Sequence, residues 1–305
     1  MSLATWSPCV REGDTFMVYA GPHSLLAVRA KQGLCTQTKY GAIRHSELLG
    51  RPFGSRFTCS KGGYVWILHP TPELWTRTLA HRTQILYAPD IAMVITMLDV
   101  RPGSVVCEAG TGSGSLSHAF LRAVAPSGHL HTVEFHAKRA AQAREEFQQH
   151  GFGNVVTVRF QDVCLNGFGV EGSADAVCLD IPSPWNAVAH ARTAMKRAGG
   201  RLCSFSPCIE QVQQTCQVLE SNGFHEMNTL EVLLRPCDVR TISLQIPDIG
   251  CTTKRECVTD QGCTPTGVVD KEKGLFLFNT GCIPREVPGH TGYLTFASLP
   301  PARDF

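Results

Sequence analysis

From Ser104 to Asn222 the chain alternates short apolar runs with helical ones, and this rhythm restricts the fold more than any other feature. The strand-like runs are "SVVCEA", "HLHTVEF", "VVTVRF", "ADAVCLDI" and "GRLCSFS". Between them lie "SLSHAFLRAVAP", "AKRAAQAREEFQQH", "WNAVAHARTAMKRA" and "IEQVQQTCQVLESN", which read as helices. Strands apolar at successive positions belong to a parallel sheet buried on both faces, so the segment predicts an α/β fold. Two late runs, "HEMNTLEVLLR" and "TGYLTFAS", fit further strands.

An acidic residue closes each of the first four strands: Glu108, Glu134, Asp162 and Asp180. Ligands of open α/β sheets sit outside the carboxyl ends of the strands, so these acids share a candidate site. After Glu108 come Gly110, Gly112 and Gly114. Glycines there let backbone amides approach a ligand, and the helix N-terminus that follows favours a negative group. The spacing is G-x-G-x-G and differs from the G-x-G-x-x-G of dinucleotide sites. A tight strand-to-helix turn without a ligand is the alternative for the loop alone. Glu134, twenty residues past Gly114, suits two ribose hydroxyls. Asp162 suits an adenine amino group, and Asp180 closes the fourth strand.

The rest of the chain divides around this segment. Residues 1–70 carry short β-type runs and glycine turns, a small β-domain of barrel or sandwich type. Residues 71–103 form a connecting region with a helix at about 88–98. Residues 104–305 hold the α/β domain, with 247–288 polar, glycine-rich and without periodicity, read as a mobile insertion. No apolar run reaches the ~18 residues of a membrane span, and "MSLATWSPCVREGD" has no signal-peptide pattern. The 14 cysteines lie mostly in apolar contexts, without a C-x-x-C pair. They read as buried hydrophobes in a cytosolic or nuclear protein. Cys251, Cys257 and Cys263 are evenly spaced but lack histidines and tight pairs, so no metal is expected. The net charge of +2 gives no sign of the basic surplus common in nucleic-acid proteins.

Taken together, "GRPFGS" (50–55), "YVWILHPTPELWT" (64–76), "HRTQILY" (81–87), "CEAGTGSGSLSHA" (107–119), "LHTVEFH" (130–136), "LDIPSPW" (179–185), "CSFSPCIEQVQ" (203–213) and "GHTGYLTFA" (289–297) carry a resemblance. The chain resembles catalytic subunits of tRNA (adenine-58-N1)-methyltransferases, within the class I S-adenosylmethionine-dependent superfamily. The matches run from about residue 12 to 297. The glycine loop is shared by many methyltransferases, whereas "HRTQILY" with "DIPSPW" is more particular.

The resemblance implies a Rossmann-like methyltransferase sheet and a small N-terminal β-domain. It implies S-adenosylmethionine as cofactor, S-adenosylhomocysteine as product, and no metal. Cofactor contacts would come from Leu86, Glu108, Gly110, Gly112, Ser113, Gly114, Ser115, Glu134, Arg139, Asp162, Val163 and Asp180, with Asp180 catalytic. Gln84, Tyr87, Pro182, Ser206, Pro207, Cys208 and Thr291 are candidates for RNA contact; Tyr87 and Trp185 are candidates for stacking on a base, with a core position beside a helix start as the alternative for each. His118 and His136 are expected to face solvent or cap helices. The implied partners are tRNA and a related non-catalytic RNA-binding subunit, in a heterotetramer of two of each, without a membrane. The implied site of action is the nucleus, with a cytoplasmic share left open. Two other readings remain at this point. One is a methyltransferase for protein or small molecules, against which the β-domain and "HRTQILY" speak. The other is a non-catalytic RNA-binding subunit, whose catalytic motifs would have decayed; here Glu108, the glycines and Asp180 are intact.

Overall fold

The computed structural model describes residues 3–245, 267–270, 274–283 and 292–302, and the chain divides into two units, residues 1–232 with 291–305 and residues 233–290. In the larger unit the N-terminal strands come first: β1 (Thr15–Tyr19), β2 (Leu25–Arg29), β3 (Cys35–Thr38), β4 (Gly41–Arg44), β5 (Ser55–Thr58) and β6 (Tyr64–Leu68), with a short helix α1 (His45–Leu48) after β4. They form an antiparallel sheet of order β2-β1-β6-β5 and a β3-β4 hairpin. Alternate residues Phe16 and Val18, Val65 and Ile67 point inward and meet Ile43, Leu48 and Phe57 in one apolar core.

Two helices connect this part to the main sheet. Helix α2 (Pro72–Thr76) begins with proline at its first position, and Thr71 Oγ1 accepts a 3.3 Å bond from the Leu74 amide. Helix α3 (Ala88–Met97) again carries proline in its first turn and buries Ile91 and Val94.

The main sheet then builds as the alternation predicts. It contains β7 (Val105–Ala109), α4 (Ser115–Val124), β8 (His129–Glu134), α5 (Ala137–Gln149), β9 (Val156–Phe160), α6 (Val163–Asn166), β10 (Ala176–Leu179), a 3-10 turn (Pro184–Ala187), α7 (Val188–Ala194), β11 (Gly200–Ser206), α8 (Ile209–Ser221) and β12 (His225–Leu230). The order across the sheet is β12-β16-β11-β10-β7-β8-β9, where β16 is Tyr293–Leu299. β16 runs antiparallel to both its neighbours, while β9, β8, β7, β10 and β11 pair in parallel.

Central strands β7 and β10 divide their side chains between two cores by the two-residue strand period. Val106, Ala176 and Cys178 pack on one face with Phe120, Leu121, Leu130 and Phe147. Cys107, Ala109, Val177 and Leu179 pack on the other with Val188, Leu202, Leu219 and Phe224. Burial on both faces is why these strands lack polar alternation. Strand order reverses between β7 and β10, and the chain opens a crevice at such a switch point, at the carboxyl ends of the strands.

The smaller unit contains an antiparallel sheet of order β13-β15-β14, from β13 (Asp238–Gln245), β14 (Gly267–Asp270) and β15 (Leu275–Cys282). The expectation of no regular structure over 247–288 is corrected at β14 and β15. Their ladder bonds, with Asp238 opposite Cys282 and Gly267 opposite Phe278, form a sheet without the alternation that a half-buried strand displays. The remainder of that stretch, with Cys251, Cys257 and Cys263, lies outside the described residues. Among the described residues no helix is long and apolar enough to cross a membrane.

Candidate active site

A cavity of about 570 Å³ opens at the switch point, lined by the loop after β7, the ends of β8, β9 and β10, and residues 83–86. Its volume lies within the usual range for small-molecule sites. All four strand-end acids line it, with Arg139 opposing them. The acidic surplus favours a ligand that carries positive charge.

Packing explains the glycine loop as well as any ligand does. Gly110 has φ +93°, and a Cβ there would lie 2.1 Å from the Asp180 carbonyl oxygen. The end of β10 therefore passes too close to admit any side chain. The Asp180 amide donates a 2.9 Å bond to the Ala109 carbonyl, which locks the two strand ends together. A Cβ on Gly112 would meet Thr83 Oγ1 at 2.7 Å.

The loop's amides are mostly engaged within the protein. Those of Gly110 and Thr111 donate to the Val133 carbonyl, that of Gly112 to Glu134 Oε2 at 2.9 Å, and that of Gly114 to the Thr111 carbonyl. Among the described residues, the amides of Ser113 and Ser115 are left without a protein partner. Their hydroxyls are turned away from this role. Ser113 Oγ accepts from the amides of Arg82 (2.8 Å) and Thr83 (3.0 Å), and Ser115 Oγ donates to the Leu86 carbonyl at 2.9 Å. Any ligand contact of these serines is therefore made by the backbone.

Each acid has its own environment. Glu134 Oε1 accepts from Arg139 Nη2 (2.7 Å), Arg139 Nε (3.0 Å) and the His136 amide (3.0 Å). Burial pushes its carboxyl up, but these bonds, the Gly112 amide and the Arg139 charge outweigh that and hold it below its ordinary value. Oε2 has only one bond, so it retains capacity for hydroxyl donors.

Glu108 Oε2 accepts from Ser117 Oγ (2.6 Å) and Thr132 Oγ1 (2.7 Å). Since Thr132 donates there, Thr111 donates to Thr132 over 2.6 Å. Burial lifts Glu108 to about 7, against these bonds and with help from the charges of Asp180 and Glu134. Asp180 rises to about 6 by burial alone. Asp162 caps α6 by accepting from the Cys164 amide at 2.8 Å, and it lines the cavity.

The candidate residues Leu86, Val163, Gln84 and Pro182 also line the cavity. Tyr87 lies next to it, 47% exposed at the N-cap of α3. Ser206, buried at the end of β11, leads through Pro207 to Cys208, the N-cap of α8. Gln211 Nε2 donates to the Pro182 carbonyl at 3.0 Å, so this end of α8 is tied to the loop after Asp180. Thr291 lies outside the described residues.

Sequence reading passed over Thr83, Phe135, Gln161 and Asn186, which line the cavity too. Phe135 directly follows Glu134 and is 62% exposed despite its size, a position that its neighbour's role would have marked. Asn186 carries no sequence signal beyond its nearness to Asp180.

His118 departs from expectation. It is fully buried on α4 rather than facing solvent, because the aromatic side chains of Trp75, Phe147 and Phe152 enclose it. Its Nδ1 lies 2.6 Å from the Gly114 carbonyl and its Nε2 2.8 Å from His150 Nδ1. A carbonyl only accepts, so Nδ1 of His118 bears the proton, and His150 Nδ1–H donates to His118 Nε2. Burial pushes His118 down to about 4 and His150 to about 3, so both are neutral at pH 7. Glu146 stands beside them, but Arg82 Nη1 pairs with it at 3.4 Å. The cluster is a hydrogen-bonded support under the loop.

The residues fit S-adenosylmethionine. Cradle glycines admit close approach, Glu134 Oε2 and the Asp162 carboxylate stand at adjacent strand ends as acceptors, and acids predominate where a sulfonium and an ammonium would lie. Comparison with known proteins agrees. A family model described as "tRNA methyltransferase complex GCD14 subunit" matches residues 63–299. The tRNA (adenine(58)-N(1))-methyltransferase catalytic subunit of Candida albicans is 37% identical, over 97% of this chain and 98% of its own. That of Dictyostelium discoideum is 39% identical over 96% and 97%. Among solved structures, an S-adenosylmethionine-dependent O-methyltransferase of Thermotoga maritima superposes with a TM-score of 0.76 at 25% identity, covering 98% of this chain and 97% of that one. The tRNA (m1A58) methyltransferase TrmI of Aquifex aeolicus shares the fold, with a TM-score of 0.68 at 19% identity over 95% and 98% of the two chains. By sheet order, glycine loop and similarity along nearly its whole length, the chain belongs to the family of tRNA (adenine-58-N1)-methyltransferase catalytic subunits, within the class I S-adenosylmethionine-dependent enzymes.

Proposed function

We propose that this chain transfers a methyl group from S-adenosylmethionine to N1 of adenosine 58 in the T-loop of tRNA. The observation that carries the reading is Asp180, a carboxylate at the end of β10 on the wall of the glycine-loop cavity, in a chain of this family. When bound, the cofactor supplies a methyl group already activated on sulfur, which the in-plane lone pair of adenine N1 takes without a general base. The protein's task is alignment and accommodation of the charge that passes to the base. Asp180 accepts a hydrogen bond from the exocyclic amine and places negative charge beside the forming 1-methyladenine. Pro182 and Pro184 stiffen the chain that holds it, and Gln211 anchors the Pro182 carbonyl. Glu134 holds the ribose, Asp162 and Val163 border the adenine, and Leu86 covers the cofactor. Because N1 lies on a pairing edge, the base leaves its stack to enter the cavity, where Gln84, Tyr87 and the Ser206-Pro207-Cys208 turn are suited to receive it.

The reading extends to assembly. A related non-catalytic subunit completes RNA binding, as a heterotetramer of two of each, and the enzyme works in the nucleus. The net charge of +2 supports a partner, since a folded RNA needs many cationic or donor contacts. The test is incubation of unmodified tRNA with the purified chain, cofactor and candidate partner, followed by position-resolved mapping of modified adenosine. Methylation at adenosine 58, lost in Asp180→Ala, supports the reading; methylation of protein or of another nucleotide instead refutes it.

A further inference from the structure

The glycine loop exposes two free amides, and its carbonyls are gripped from behind. Gly114 O accepts from His118 Nδ1 at 2.6 Å, in addition to the ordinary helical bond from the His118 amide at 3.1 Å. Ser113 O accepts from Arg82 Nη2 at 2.9 Å. In a planar trans peptide the C=O and N–H point in opposite directions. Fixing Gly114 O therefore fixes the direction of the Ser115 N–H, one of the two free donors. Ser113, which bears the other, is held through its carbonyl by Arg82 and through its hydroxyl by the Arg82 and Thr83 amides.

Helix α5 backs both grips. Glu146 pairs with Arg82 through both oxygens, at 3.4 and 3.5 Å. His150, at the end of α5, donates to His118 over 2.8 Å. The packing is close enough that a Cβ on Gly114 would lie 3.4 Å from Glu146 Oε1 and 3.5 Å from His118 Nδ1. The Ala4 amide in turn bonds the His150 carbonyl at 3.2 Å. One continuous network thus runs from the N-terminal segment through α5 to the loop.

We propose that His118 and Arg82 are positioning residues of the methyl-donor site: His118 holds the Gly114 carbonyl so that the Ser115 amide presents to the cofactor, and Arg82 anchors Ser113 through its carbonyl and hydroxyl, which steadies the turn that carries the Ser113 amide. Neither residue touches the cofactor. The proposal rests on the reading that the cavity binds S-adenosylmethionine. It assigns a task to "HRTQILY" beyond its contribution of Leu86: Arg82 ties that segment to the loop.

The test compares His118→Asn with His118→Leu in the full-length chain. Asn keeps an N–H donor near the place of Nδ1, whereas Leu keeps only bulk. Calorimetry with S-adenosylmethionine and with S-adenosylhomocysteine reads affinity and the fraction of competent sites separately. His118→Leu should weaken both ligands alike, by about tenfold to hundredfold, since a buried carbonyl loses its donor and the amide behind it loosens. Turnover at saturating cofactor should change by less than about threefold, so the effect falls on KM. His118→Asn should regain most of the affinity. Arg82→Ala, which removes a side chain on the rim of the cluster, should show the same equal loss and provides the test if His118→Leu does not fold. Wild-type affinity in a folded His118→Leu or Arg82→Ala overturns the proposal. So does a fall in competent sites at unchanged affinity, or an Asn variant no better than Leu. Failure of the wild type to bind either ligand overturns the cofactor reading instead.

Discussion

Asp180→Asn separates what this residue costs the fold from what it contributes to the reaction. Burial raises its carboxyl from 3.8 to about 6. Between these values the folded state binds more protons than the unfolded one, so the residue's contribution to stability falls as pH rises through about 4 to 6, then levels. At 1.36 kcal/mol per pH unit the penalty above pH 6 is at most about 3 kcal/mol. It is about half of that at pH 5, and nearly absent below about pH 3. Asparagine has the same shape and no charge, so the cofactor-free variant should be more stable than the wild type at pH 8, with Tm higher by about 5–10 °C. The gain should shrink at pH 5. Relief of Glu108, which the Asp180 charge also raises, adds in the same direction. Turnover should fall by about 10²–10³, and the preference for S-adenosylmethionine over its uncharged-sulfur product should narrow. Scanning fluorimetry at pH 4, 5, 6 and 8, with and without each ligand, reads all but turnover. A variant less stable than the wild type at pH 8, or a difference that does not vary with pH, refutes the claim that Asp180 is held ionised at a cost to folding.

Other outcomes follow from the same geometry. Gly110→Ala places a methyl 2.1 Å from the Asp180 carbonyl and adopts a φ that L residues avoid; it should cost roughly 2–4 kcal/mol in denaturation and displace Asp180, with turnover lost even at saturating cofactor. Glu134→Ala should weaken cofactor binding by about 1–3 kcal/mol in calorimetry, as it removes the acceptor for Gly112 and frees Arg139. Single-turnover methylation in the wild type should rise with pH through about 6 as Asp180 ionises; a rate flat from pH 5 to 8 contradicts its role as a carboxylate. Adding the partner subunit should tighten tRNA binding and steepen its salt dependence while cofactor affinity stays constant; full activity of the isolated chain with an unchanged salt slope contradicts the need for a partner.

Much of this was legible because the physics is local and repetitive. Doubly buried parallel strands must be apolar at successive positions, so β7 to β11 announce themselves, and an acid after each of the first four has few structural uses. Support beneath the loop was not legible for the opposite reason. His118 looks like any polar residue in "SLSHAFLR", and only the placement of Trp75, Phe147 and Phe152 around it reveals a neutral buried imidazole. Arg82 and Glu146 are 64 positions apart, and no spacing rule joins them. The strand "LFLFNTGC" was missed because β15 sits between two partners of its own sheet, where ladder pairing rather than alternation sets its structure.

The spacing of the three glycines is set partly by contacts and backbone angles that ligand binding alone does not demand. Gly110 admits the Asp180 backbone, Gly112 admits Thr83, and Gly114 rests on Glu146 and His118. Each opening faces a different neighbour: the catalytic strand end, the segment that covers the cavity, and the support from α5. A side chain at any of them would therefore disturb cofactor binding through a different partner. The first would shift the carboxylate at the reacting centre and the second would displace the Thr83 hydroxyl, whereas the third would stand at ordinary contact distance from Glu146 and His118 and be strained by its φ of +80°. Here even the cofactor-free chain should resist all three substitutions, because the positive φ at each glycine and the close contacts at Gly110 and Gly112 exist before anything binds.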